Sequence, residues 1–204
     1  MPPEERVVPR FAAEPPQELL PYGRWADRLR DEFLAAAADL DDVGEPGELV
    51  FYPDRTWHGR TWVPVTAPTS AGLEIVGFVS FRAGADGGEP TAFTAHADAT
   101  EETAARHPEW QLDLNDEVVG SWRGEQRQVA AMTLVWGTPL VPGGAVATAE
   151  LAGLVVDQCE LREGRFTLLA PDDYRGDLLD IKLYNQQGAE LARESLYDDE
   201  EEDG

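Results

Sequence analysis

The sequence predicts an α+β protein, mainly antiparallel β and sandwich- or barrel-like. One long N-terminal helix is expected over about residues 22–40 and a short helix near 99–107. Three observations carry this. An apolar stripe at helical spacing lies near the N-terminus, and from Gly47 onward short β-type runs follow one another between turn residues. Regular alternation of strand and helix, the mark of a doubly wound sheet, is missing.

Residues 1–18 read as a flexible Pro-rich arm. Five prolines fall in the first 16 residues, where they remove backbone donors and block helix. The helix follows in "YGRWADRLRDEFLAAAADLDD". Trp25, Leu29, Phe33, Ala36 and Leu40 step by three or four residues and make one stripe, while Arg24, Asp27, Arg28, Asp31 and Glu32 fill the other side. It should end at "DDVGEPG", where acids meet the negative end of the helix dipole and Gly and Pro follow.

"ELVFYP", "TWVPVTA", "LEIVGFVSFRA", "TAFTAHAD", "WQLDL", "EVVGSWRG" and "RQVAAMTLVW" are then strand candidates. "ATAELAGLVVDQCEL", "RFTLLA", "LLDIKLYN" and "ELARESLY" continue the series, separated by Gly-, Pro- and Asp-rich turns. The short helix is expected in "ATEETAARH", capped by Thr100. No long uncoupling linker appears, so residues 19–197 are taken as a single mostly-β domain. Residues 198–204 open with six consecutive acids and read as a disordered acidic tail.

"DRTWHGRTWVPV" (54–65) is the most distinctive run. With His58-Gly59 at the centre of a tight hairpin, Arg55 pairs with Trp62, Thr56 with Thr61 and Trp57 with Arg60. Arg55, Trp57, Arg60 and Trp62 then share one face, and Thr56, Thr61, Val63 and Val65 the other. Trp and Arg are the usual anchors of interfaces, so the first face is the candidate partner-binding surface. The competing reading packs the tryptophans under the N-terminal helix with the arginines reaching out to solvent. "GSWRGEQRQ" repeats the theme, with Trp122 expected opposite Arg127 across a turn at Gly124-Glu125.

Signs of catalysis are weak. His96 and Asp98 form a His-x-Asp pair, a low-grade metal candidate that still needs a third ligand, for which His107 is the only later histidine. Ser121 has the wrong glycine spacing for a nucleophile elbow. Cys159, the single cysteine, can form no internal disulfide and reads as a small core residue. Acid-rich loops at Asp113, Asp116 and Glu117 and around Asp172–Asp180 lack EF-hand spacing. No cofactor is expected and no catalytic residue is assigned.

Charge is the strongest global signal. Forty acids against 16 Lys and Arg give a formal charge of −24. Such a surface repels nucleic acid and anionic membranes and attracts basic partners. Residues 1–20 lack the apolar stretch of a signal peptide, so a cytoplasmic location is expected. The favoured function is a protein–protein interaction module binding a basic partner, an inhibitor or immunity-type protein being one version. The alternatives are a small-ligand-binding or metal-dependent enzyme using His96 and Asp98, and a structural or assembly subunit. A monomer or a specific homodimer fits the charge.

Overall fold

The computed structural model of the chain describes residues 25–85, 88–123, 129–172 and 178–196. The expected arm and acidic tail, residues 1–18 and 198–204, lie outside them. Among the described residues one helix, α1 (Ala26–Ala37), is followed by β1 (Val50–Phe51), β2 (Arg55–Trp57), β3 (Arg60–Pro68), β4 (Glu74–Arg82) and β5 (Thr91–Thr100). Next come β6 (Leu112–Arg123), β7 (Val129–Pro139), β8 (Val146–Leu151), β9 (Leu154–Glu160), β10 (Phe166–Asp172), β11 (Leu179–Tyr184) and β12 (Glu190–Ser195). Every strand pairing is antiparallel. Among the described residues no helix is long and apolar enough to cross a membrane.

The strands divide into three sheets. The first has the order β1-β3-β4-β5, with β2 also on β3; the second is β10-β7-β6; the third is β12-β11-β8-β9. Three apolar clusters tie them together, because period-two alternation sends successive side chains to opposite faces. Leu29, Phe33 and Ala37 of α1 pack on Val63, Val65, Ile75, Val79 and Phe81 of the first sheet. The opposite face of that sheet supplies Trp62, which with Tyr52 meets Met132, Leu134, Trp136 and Leu169 of the second. The second sheet's other face, with Val135, Phe166 and Leu168, packs on Ala149, Leu151, Leu179 and Ile181 of the third. The second sheet is therefore packed on both faces. Its strand β10 is buried at every position, which is how an apolar run without clean alternation reads.

Several expectations need correction. The helix is 12 residues long, not a long element over 22–40. Residues 22–24 lie outside the described set, Trp25 is the N-cap, and the chain turns after Ala37. Asp39, Asp41 and Asp42 at that end oppose the dipole, and Asp42 has already left the helix at φ 56°. The short helix near 99–107 is absent. Strand β5 runs through Thr100, and the residues beyond are turns in which Arg106 and His107 both donate to the Thr103 carbonyl. "ATAELAGLVVDQCEL" is two strands, β8 and β9, folded at Ala152-Gly153 with φ 52° and 77°. Trp122 opposes Ala130 rather than Arg127, and the expected turn at Gly124-Glu125 lies outside the described residues.

Candidate functional site

The 54–65 hairpin has the pairing its residues imply: Arg55 with Trp62, Thr56 with Thr61, Trp57 with Arg60. His58 and Gly59 take φ 50° and 70°, the positive values a two-residue type I′ turn requires. Arg55, Trp57, Arg60 and Trp62 do lie on one face. Trp62 and the partly buried Trp57 pack against the second sheet rather than under the helix, and Arg55 and Trp62 are only 2% and 5% exposed. Of the four candidate contact residues, Arg55 and Trp62 are therefore buried, while Trp57 and Arg60 remain partly exposed. The hydrophobic gain of burying an indole between two sheets outweighs leaving it in water. Arg55 is held by Asp157 of β9 and by the Gln158 carbonyl.

Arg60 has a different task. Its Nη1 donates to Ser80 Oγ at 2.6 Å and to Thr94 Oγ1 at 3.2 Å, and its Nη2 to the Ala92 carbonyl at 3.3 Å. This clamp sits where the β4–β5 register slips between Ser80 and Arg82. Ala92 there adopts φ 53°, a left-handed conformation that costs a non-glycine residue and must be held by its surroundings.

The metal candidates do not assemble a site. His96 is exposed on β5, with its Nε2 3.4 Å from Glu117 Oε2 across the sheet-to-sheet gap and its ring tilted against Phe78. Asp98 Oδ1 accepts the Ala99 N–H at 2.7 Å. His107 lies elsewhere, bonded to Glu102 and Glu109 and stacked on Trp110 at 4.3 Å. The Glu109 hydrogen bond leads in raising its pKa. Among the described residues no group of three His, Cys, Asp or Glu is placed to hold a metal ion. Cys159 is buried as expected, and burial pushes its thiol up.

Two features were not legible in the sequence. The first is an acidic contact between the first and second sheets. Burial raises the Glu74 carboxyl, the charge of Asp113 raises it further, and a Thr66 hydrogen bond partly opposes this. Asp113 itself is raised by burial. Tyr52 shares this environment, its hydroxyl 3.5 Å from Thr66 Oγ1 and pushed up to about 12, mainly by burial.

The second is an open groove of about 640 Å³ between α1 and the start of β5. Trp25, Asp27, Arg28, Asp31 and Glu32 form its helix side; Glu89, Pro90, Thr91, Ala92 and Phe93 form its strand side. The geometry follows from local rules. The helix buries its Leu29–Phe33–Ala37 stripe, which leaves Asp27, Arg28, Asp31 and Glu32 along the flank. The helix-facing positions of β5 are Phe93, Ala95, Ala97 and Ala99, so Phe93 alone is bulky. Arg28 lies over the Phe93 ring, 5.0 Å from its centroid, and pairs with Glu32 at 2.5 Å. The sequence showed Asp27, Asp31 and Glu32 only as a solvated helix face, and nothing in it linked them to Phe93.

Comparison of the chain with protein-family models, with curated proteins and with solved structures returned no match.

Proposed function

We propose that the protein is an interaction module that takes a basic segment of a partner protein into the groove between α1 and β5. The observation that carries this is the composition of that groove. Among the described residues, four carboxylates, Asp27, Asp31, Glu32 and Glu89, stand around Trp25 and Phe93, with Arg28 the one basic residue lining it. Carboxylates beside aromatic rings suit a cationic side chain, which gains both ionic and cation–π contacts. A formal charge of −24 acts in the same sense at long range, drawing basic partners and turning away nucleic acid. An inhibitor or immunity-type role, in which the acid surface covers the basic substrate-binding face of its partner, is one form of this reading.

The hairpin supports the groove instead of forming it. Arg60 fixes the Ala92 carbonyl on the strand side, while Arg55 and Trp62 lock the first sheet to the others. An enzyme built on His96 and Asp98 has less to rest on: one side chain meets Glu117 and the other accepts the neighbouring Ala99 N–H.

The test is fluorescence anisotropy of a labelled basic peptide titrated with the protein at rising salt. Binding is expected to weaken steeply with ionic strength. The triple variant Asp27→Asn, Asp31→Asn, Glu89→Gln should lose at least about tenfold in affinity. A control that neutralises three exposed acids elsewhere (Asp41→Asn, Glu48→Gln, Glu160→Gln) should lose much less. Equal losses in the two variants, or no binding at low salt, would overturn the groove as the binding site.

A further inference from the structure

Arg28 occupies the groove in a way that specifies its ligand. Its guanidinium lies 5.0 Å from the centroid of the Phe93 ring and 2.5 Å from Glu32 Oε1. An aromatic face and a carboxylate edge are the two surfaces a planar guanidinium uses at once, through stacking and charge-assisted hydrogen bonds. A lysine ammonium is a compact, strongly hydrated charge that cannot match both planes. Arg28 is also held loosely: its side chain is 59% exposed, and its partner Glu32 is a neighbour one helical turn away. Exposed pairs of this kind contribute little to stability. A loosely held arginine inside a groove with four carboxylates is a resident that a better-placed arginine can replace.

We infer that Arg28 is an internal stand-in for the partner's side chain, and that the groove selects arginine over lysine by exchanging Arg28 for an arginine on the Phe93–Glu32 site. This rests on the groove being a binding site, and adds its chemical specificity and an internal competitor. On displacement Arg28 swings off the ring toward solvent. Asp31, which also lines the groove, lies one turn away on the same helix and receives it.

Two peptides of equal length and charge, one arginine-based and one lysine-based, separate the possibilities when titrated into the full chain at physiological salt. The arginine peptide is expected to bind about two- to fivefold more tightly, the size of one exposed cation–π contact. Arg28→Ala removes the competitor, so it should tighten the arginine peptide several-fold and widen its advantage over lysine. Simple charge removal would tighten both peptides equally. Phe93→Leu should erase the preference while salt-dependent binding of both peptides remains. Circular dichroism checks that this variant folds, and Arg28→Ala carries the test if it does not.

Equal affinities for the two peptides, or a weaker arginine complex in Arg28→Ala, overturn this inference and leave the groove as a general cation site. Failure of both peptides to bind overturns the proposed function along with it.

Discussion

Arg55 and Asp157, 102 positions apart in the chain, form an ion pair whose side chains are 2% and 6% exposed. Arg55 belongs to the hairpin of the first sheet and Asp157 to β9 of the third. The second carboxylate oxygen of Asp157 accepts the Leu169 N–H of β10, at 2.8 Å, from the second sheet. One carboxylate therefore joins all three sheets. Burial nevertheless pushes Asp157 upward, against the pull of the guanidinium.

Breaking this pair from one side strands the other charge. Arg55→Met is expected to cost about 3–5 kcal/mol of stability in urea unfolding, because Asp157 is left buried without its cation. Adding Asp157→Asn should recover part of the loss. A small effect from Arg55→Met alone would show that the pair is solvated.

Trp62→Ala separates the core role of the hairpin from a contact role. Trp62 packs with Met132, Leu134 and Trp136, so its removal should cost about 3–5 kcal/mol and lower the urea midpoint. An unchanged midpoint with weakened partner binding would instead restore Trp62 to a contact surface.

Arg60→Ala tests whether the clamp on Ala92 shapes the groove. Removing a positive charge near an acidic site should, by charge alone, tighten a cationic peptide. Loss of the clamp should instead weaken it several-fold at unchanged far-ultraviolet dichroism, with partial rescue by Arg60→Lys. Tighter binding would show that Arg60 has no positioning role.

Glu74 makes stability depend on pH in a defined direction. Its folded pKa is raised by burial and by Asp113, so the folded state holds the proton more firmly than the unfolded chain. The stabilisation this gives is complete below the unfolded value, about 4.3, and is lost as pH rises through the folded one. Glu74→Gln should therefore have a higher thermal midpoint than the parent at pH 7.5. The difference should shrink as pH falls toward about 4.5. A constant difference across that range would mean that Glu74 does not titrate between the two states.

Much of the secondary structure was present in local residue patterns. The Trp25–Leu29–Phe33 stripe placed the helix, and His58-Gly59 set the hairpin register, since a turn with two positive-φ residues admits few pairings. The ends of elements were less legible. Thr100 to His107 has the composition of a capped helix, yet β5 continues through Thr100 on its pairing with Glu74, a partner 26 positions back in the chain. Likewise the Ala152-Gly153 turn is hidden in an apolar run that reads as one strand.

Composition and period two told which residues share a face, and they did so for Arg55, Trp57, Arg60 and Trp62. They could not say what that face meets. That required the stacking of three sheets, which buries Arg55 and Trp62 and pairs Arg55 with a residue 102 positions away. The groove is of the same kind: Arg28 and Phe93 belong to different elements and meet only because α1 lies across β5. Local patterns are set by backbone geometry within a few residues. Burial and the company a side chain keeps are set by packing between segments far apart in the chain.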